Sequence, residues 1–312
     1  MDRFGWSMVT SEIFQSVFII TFWSVQIMSF KIITDSCCDF TEQQYRELGV
    51  ACAPLSVLYN GENHSNFSDP TAVKAFYDEL RGGVMASTSA VNPDGWAVLM
   101  EEALKEGQDV LALAFSSGLS TTYQSAVIAA KELRETYPDR KIYVVDTLCA
   151  ALGQGLLVWH ACKKRDEGLD IDAVCSWVEE HKLNVCHWVT VDDLSHLKRG
   201  GRISATTALV GTMLNIKPII FVDDDGHLIN TTKVRGRKAA MELLAGKLEE
   251  TCIDKETVFI AHGDCPEDAA ALETLVKEKY GVKNVITGYV GPVIGAHTGP
   301  GVLVLFYMGS HR

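Results

Sequence analysis

Positive charge is in short supply. Twenty-eight lysines and arginines stand against 40 aspartates and glutamates, a formal net charge of −12 over 312 residues. A general nucleic-acid binder needs a basic footprint, which this composition does not supply. Paired cysteines are missing as well: nine are scattered through the chain without a C-x-x-C pair, and the adjacent Cys37 and Cys38 lack metal-ligand spacing. That pattern favours a reduced cytoplasmic chain with buried thiols over a disulfide framework. Nucleotide and hydrolase signatures are also absent. There is no G-x-S-x-G elbow, no Walker A loop and no full G-x-G-x-x-G; Gly153-Gln154-Gly155 is too little alone. Cys186, His187, His181 and His196 are spread over opposed strand faces and surface, so no metal is expected. No internal repeat or low-complexity segment occurs.

A long uninterrupted hydrophobic run is lacking too. Residues 13–30 are apolar and aromatic but are broken by Gln15, Ser16, Thr21, Ser24 and Gln26. They barely reach the roughly 20 residues a spanning helix requires. Asp2 and Arg3 precede the stretch and no small-residue cleavage site follows, unlike a signal peptide. The preferred reading makes residues 1–27 a leader from a mis-chosen start, with the protein beginning at or near Met28. A marginal membrane anchor is the alternative, and membrane contact is expected to be transient at most.

What is present is a large apolar fraction, 47%, enough to bury a substantial core. The order of elements points to an α/β fold with two domains and mostly parallel central sheets, expected over residues 28–175 and 176–312. Residues 31–35 and 50–59 read as extended, 69–81 and 93–105 as helices, the second capped by Asn92 with Pro93 at its first position. Residues 109–115 are continuously apolar, the pattern of a strand buried on both faces of a parallel sheet. Residues 141–145 form the next strand, followed by helices over 153–165 and 171–181. Beyond it, strands are expected at 185–191, 257–261, 283–289 and 302–307, a hairpin at 216–232 and helices at 236–251 and 266–280.

Three polar clusters stand out. The Gly/Pro-rich stretch 291–301 holds a single His297-Thr298 pair between two strands. Ser87-Thr88-Ser89 precedes a helix cap. Ser116-Ser117-Gly118-Leu119-Ser120 follows the buried strand and leads into a helix, a geometry that offers backbone N–H groups and a positive dipole end to an anion.

Taken in order, five segments resemble the DegV family of bacterial fatty-acid-binding proteins. They are MSFKIITDSCCDF from Met28, Thr88-Ser89-Ala90-Val91-Asn92-Pro93, FSSGLSTTYQSA from Phe115, LKRGGRIS from Leu197, and residues 288–301. Together they run from about Met28 to the end. Thr121 departs from the glycine usual there, and Ala90-Val91 replaces a frequent Gln-Pro. The resemblance implies two α/β domains with a lipid tunnel between them and no cofactor beyond a bound long-chain fatty acid. It implies that Ser89 and His297 donate to the carboxylate, with Thr88, Ser117, Gly118, Ser120 and Thr298 nearby. A third hydroxyl from residues 68–71 is a further candidate. A carboxylate in an apolar cavity is costly unless hydrogen-bonded, and charge-assisted bonds from such groups meet the need.

The resemblance further implies a non-catalytic carrier that presents the acid to a fatty acid kinase, which makes the acyl phosphate. Two alternatives compete: a serine-dependent lipid hydrolase or acyltransferase using Ser89 or Ser120 with His297 as base, and an α/β protein whose ligand is not a lipid. Basic residues gather in two places, Lys198, Arg199 and Arg202, and Lys233, Arg235, Arg237 and Lys238. Against the acidic background they read as a docking face for the kinase, with Arg199 and Arg202 nearest the tunnel mouth.

Overall fold

The computed structural model describes residues 30–65, 69–203 and 215–312. The expected leader, Met28, Ser68 and Ser204 lie outside the described residues. The chain opens with β1 (Phe30–Asp35), a 3-10 turn at Ser36–Cys38, α1 (Glu42–Leu48) and β2 (Ala51–Ala53). The extended run expected over 50–59 breaks at Pro54, which has no N–H to give a ladder. β3 (Ser56–Tyr59) therefore leaves for a small antiparallel sheet with β4 (Glu62–His64) and β5 (Ser87–Ser89). Between the last two lies α2 (Pro70–Arg81), capped by Asp69 and burying Val73, Phe76, Tyr77 and Leu80. α3 (Pro93–Lys105) starts at its Asn92 cap as expected. β6 (Asp109–Ala114), α4 (Thr122–Thr136) and β7 (Ile142–Asp146) complete a four-stranded parallel sheet, order β2-β1-β6-β7. β6 is buried from its second residue on, as its unbroken apolar sequence requires.

The second half contains α5 (Ala151–Asp166), α6 (Ile171–His181), β8 (Val185–Thr190), α7 (Ser195–Arg199), β9 (Ile216–Val222) and β10 (Leu228–Arg235). It continues with α8 (Arg237–Thr251), β11 (Thr257–His262), α9 (Pro266–Tyr280), β12 (Asn284–Tyr289), α10 (Pro292–Thr298) and β13 (Leu303–Met308). Its sheet runs β10-β9-β8-β13-β11-β12. The α/β class stands, but the parallel expectation holds for the first sheet and not for this one, where β11–β12 alone is parallel. A tight turn, as between β9 and β10, can join only antiparallel neighbours, and β13 inserts antiparallel to both β8 and β11. The stretch at 291–301 is also not a plain loop. Pro292 opens α10 at its first position, and Gly299, at φ 77, ends it.

α5 is buried along most of its length, including Leu156, Leu157 and Val158 at 0% exposure, each contributing about 1.5–3 kcal/mol of burial. It packs against β8, β11 and β13 and against the 3-10 turn after β1. Gly153 and Gly155 make that approach possible. A Cβ on Gly153 would sit 2.2 Å from His187 Nε2, and one on Gly155 would sit 2.9 Å from the Cys38 carbonyl. Gln154 between them donates to Thr34 Oγ1 at 2.9 Å and to the Leu113 carbonyl at 3.3 Å. The Gly-x-Gly here serves close packing.

Candidate functional site

A cavity of about 420 Å³ lies between the two sheets. Strand faces of the second sheet give it an apolar wall, with Val189 on β8 and Val304 and Phe306 on β13. His187 also reaches it, but both ring nitrogens are occupied by backbone, Nδ1 with the Val185 carbonyl at 2.9 Å and Nε2 accepting from Ala150 N–H at 3.2 Å. Burial pushes its pKa down to about 3, so the ring is a neutral part of the wall.

The polar end is built from β5, α10 and the turn after α7. Thr88 Oγ1 and His297 Nε2 share a hydrogen bond of 2.8 Å across 209 residues. Burial, with the Arg202 guanidinium adding to it, pushes the His297 pKa down to about 4. The imidazole is therefore neutral at pH 7. Gly200 lies flat against it: a Cβ there would sit 2.2 Å from Nδ1. Gly299 plays the same part for His196, whose ring a Cβ would meet at 2.5 Å.

Thr88 takes the place expected of Ser89. Adjacent strand residues point to opposite faces, and Ser89 is exposed and does not line the cavity. Ser117, Ser120 and Thr298 do line it. Gly118 does not; it packs on the β9–β10 turn, where a Cβ would meet the Asp225 carbonyl at 2.8 Å. Ser116 Oγ donates to the Gly226 carbonyl at 2.9 Å and so fastens this loop to the second sheet's turn. The backbone N–H groups expected to face an anion are already committed. Ser116 donates to the Cys149 carbonyl, Ser117 to Asp146 Oδ1, Gly118 to Ser116 Oγ, and Leu119 and Ser120 to the Ser116 carbonyl. The Ser120 hydroxyl is bonded to Thr122 Oγ1 at 2.9 Å. Thr71 sits in the first turn of α2, where Asp69 caps its N–H, and is not on the cavity wall.

Arg202 is the site residue that sequence reasoning placed elsewhere. It was expected to reach outward, yet it is half-buried on the cavity wall, its Nε donating to the Leu119 carbonyl at 3.2 Å and another nitrogen to the Gly200 carbonyl. Arg199 is exposed beside it and contacts His196 Nδ1 at 3.1 Å. The other basic cluster is divided: Arg237 pairs inward with Asp268 at 2.8 Å, while Lys233, Arg235 and Lys238 are exposed. Asp35 of the T-D-S turn is structural. It accepts from Cys37 N–H at 3.0 Å and Phe115 N–H at 2.7 Å, and burial pushes its pKa up to about 6 against those bonds.

Residues from the parallel sheet's loops, the small antiparallel sheet and the six-stranded sheet thus line a mostly apolar cavity with hydroxyl, imidazole and guanidinium groups on part of its wall. The chain belongs to the DegV family: a model of that family, described as an uncharacterised protein, matches residues 29–309. A DegV domain-containing protein of Clostridium perfringens is 46% identical over 91% of this chain and 98% of its own. A solved DegV lipid-binding protein from Thermotoga maritima is similar at a TM-score of 0.80 and 29% identity, covering 91% of this chain and 99% of its own. A Thermus thermophilus DegV family structure, described by its fatty-acid binding, matches at 0.80 and 31% over 89% of this chain and 98% of its own. No helix among the described residues is long and apolar enough to cross a membrane.

Proposed function

We propose that this protein binds a long-chain fatty acid, the tail in the apolar cavity and the carboxylate at Thr88 and His297. The observation that carries this reading is the Thr88–His297 pair on the wall of a mostly apolar cavity. With His297 Nε2–H donating to Thr88 Oγ1, the Thr88 hydroxyl is free to donate to a carboxylate there beside a nearby guanidinium, and charge-assisted bonds of this kind offset its desolvation. The lipid-binding relatives support the same ligand class. Acting without catalysis of its own, the protein presents the acid to a fatty acid kinase for conversion to the acyl phosphate, with exposed Arg199 on the docking face. Against the serine hydrolase reading, His297 meets Thr88 rather than Ser89 or Ser120, and no carboxylate hydrogen-bonds its ring among the described residues.

Mass spectrometry of the purified protein under native and then denaturing conditions tests the ligand. A non-covalent fatty acid released on denaturation is expected; a covalent acyl-serine or an empty protein contradicts it. For the partner, Arg199→Ala is expected to slow kinase-coupled acyl-phosphate formation and weaken its salt dependence at unchanged fatty-acid affinity. Equal rates across a salt series would remove Arg199 from the docking face.

A further inference from the structure

Two further cavities adjoin the acyl cavity through shared lining residues. A polar chamber of about 260 Å³ shares Thr88, Arg202 and His297 with it. A second chamber, of about 710 Å³, lies at the carboxyl ends of β1, β2 and β12. Among the described residues, Leu55 and Val293 alone line both the acyl cavity and this large chamber. They are the divider between the two. Their backbones are fixed: Leu55 follows Pro54 and donates its N–H to Ser36 Oγ at 2.9 Å, while Val293 follows Pro292 in the first turn of α10. Their side chains, 3% and 7% exposed, end in hydrocarbon and carry no polar bond.

The large chamber is lined by apolar residues together with the exposed Thr41, Glu42, Gln43 and Glu47. Phe40, Val73, Leu152 and Ile286 give it apolar walls. Its acidic lining residues are Asp39, Glu42 and Glu47, with no lysine or arginine among the described residues of the lining; burial raises the Asp39 pKa well above the usual carboxylate range, while Glu42 and Glu47 are exposed. An ionised carboxylate is repelled by such a wall, whereas a methyl end is not. The acyl cavity has the opposite bias, since Arg202 stands at its polar end. The two chambers therefore favour opposite ends of a fatty acid.

Resting on the proposed function, we infer that Leu55 and Val293 form a gate through which the tail of a long fatty acid passes into the large chamber, so that these two side chains set the upper limit of chain length. Acids short enough to end before the gate bind in the acyl cavity alone. Longer or terminally branched acids displace the two side chains to other rotamers and fill the chamber beyond.

Delipidated full-length protein and a series of saturated fatty acids of increasing length test the gate, with affinities from native mass spectrometry. Leu55→Phe and Val293→Phe are expected to steepen the fall in affinity with chain length, measured relative to each variant's own affinity for the shortest acid. They should lose roughly fourfold for every methylene denied entry, the equivalent of about 0.8 kcal/mol per buried CH₂. Leu55→Ala and Val293→Ala are expected to shift preference towards the longest and branched acids, and they carry the test alone if the phenylalanine variants do not fold. A length profile parallel to the parent's in the folded variants overturns the gate while leaving the proposed function intact. A parent that binds no acid of any length overturns the proposed function, and the gate with it.

Discussion

The two halves contribute to the cavity in different ways. The first half reaches it with segments just past its strand ends: Leu55 after β2, Ser117 and Ser120 after β6, Ala150 after β7. The second half presents strand faces, with residues two apart on β8 and β13. Parallel strands gather their following loops at one edge, where ligands of α/β proteins sit, and loops tolerate hydroxyls because water or neighbouring backbone satisfies them. A strand face packed against a core helix has no such freedom, and it is apolar apart from His187, whose two ring nitrogens are both taken by backbone. Polarity thus enters from loops, short helices and Thr88 on the short edge strand β5, and the tail's surroundings from the large sheet.

The contrast is open to direct test. The largest effect is expected on the sheet face. Val304→Asp places an unpaired carboxylate where the side chain is 4% exposed, and a loss of at least about 3 kcal/mol in urea unfolding is expected. An equivalent loss from Ser120→Asp, on the loop side, would erase the distinction. Next comes Gly153→Ala on α5, whose new methyl would overlap His187 at 2.2 Å; overpacking of this kind costs about 1–3 kcal/mol. Parental stability would show that α5 can shift away from β8.

At the polar end the effects fall on binding rather than on folding. Thr88→Val and His297→Ala are each expected to weaken fatty-acid binding by about 1.5–3 kcal/mol, as for loss of a hydrogen bond to a charged group. Ser89→Ala should leave affinity unchanged, because Ser89 is on the other face of β5. Calorimetric titration distinguishes the two hydroxyls, and equal losses at 88 and 89 would restore Ser89 to the site.

The smallest effect is in pH dependence. The pKa of His297 falls from 6.5 to about 4, that of His160 to about 4 and that of His187 to about 3 on folding, in each case chiefly through burial. Between each folded value and 6.5 the unfolded chain binds more protons, so their contribution to stability is lost as pH falls through that window. Asp35, raised from 3.8 to about 6, works in the other direction, losing stability as pH rises through that interval. The histidines with lowered pKa, which also include His196 and His262, outnumber the raised aspartates Asp35 and Asp39, and predict a net loss on acidification from pH 6.5 towards 4. His187→Gln should flatten that slope; an unchanged slope in chemical denaturation would show that His187 does not titrate on folding.

Much of the first half was legible because its signals are local. The unbroken apolar run of β6, the Asn92-Pro93 start of α3 and the buried face of α2 all follow from neighbours in sequence. The choice between Thr88 and Ser89 was not local. Both carry hydroxyls, and which one faces His297 depends on pairing with β3, which in turn depends on the break at Pro54. Arg202 was misplaced for a related reason: in an acidic chain a basic cluster reads as surface, and nothing in the sequence announces that its guanidinium folds back onto the carbonyls of Leu119 and Gly200. α10 hid behind its glycines, although Pro292 marked its first turn. The strand order of the second sheet was out of reach, since the last strand inserts into its middle.

The position of α5 has a consequence for how the protein folds. Its side chains belong to a single apolar cluster that also holds Phe30 and Leu111 from the first sheet and Phe259 and Phe306 from the second. Neither half can complete its interior without that helix, and the helix cannot satisfy both halves unless both are present. Denaturation should therefore proceed as one cooperative event, with a single heat-absorption peak, and a gene cut after α5 should yield two insoluble fragments rather than two autonomous modules.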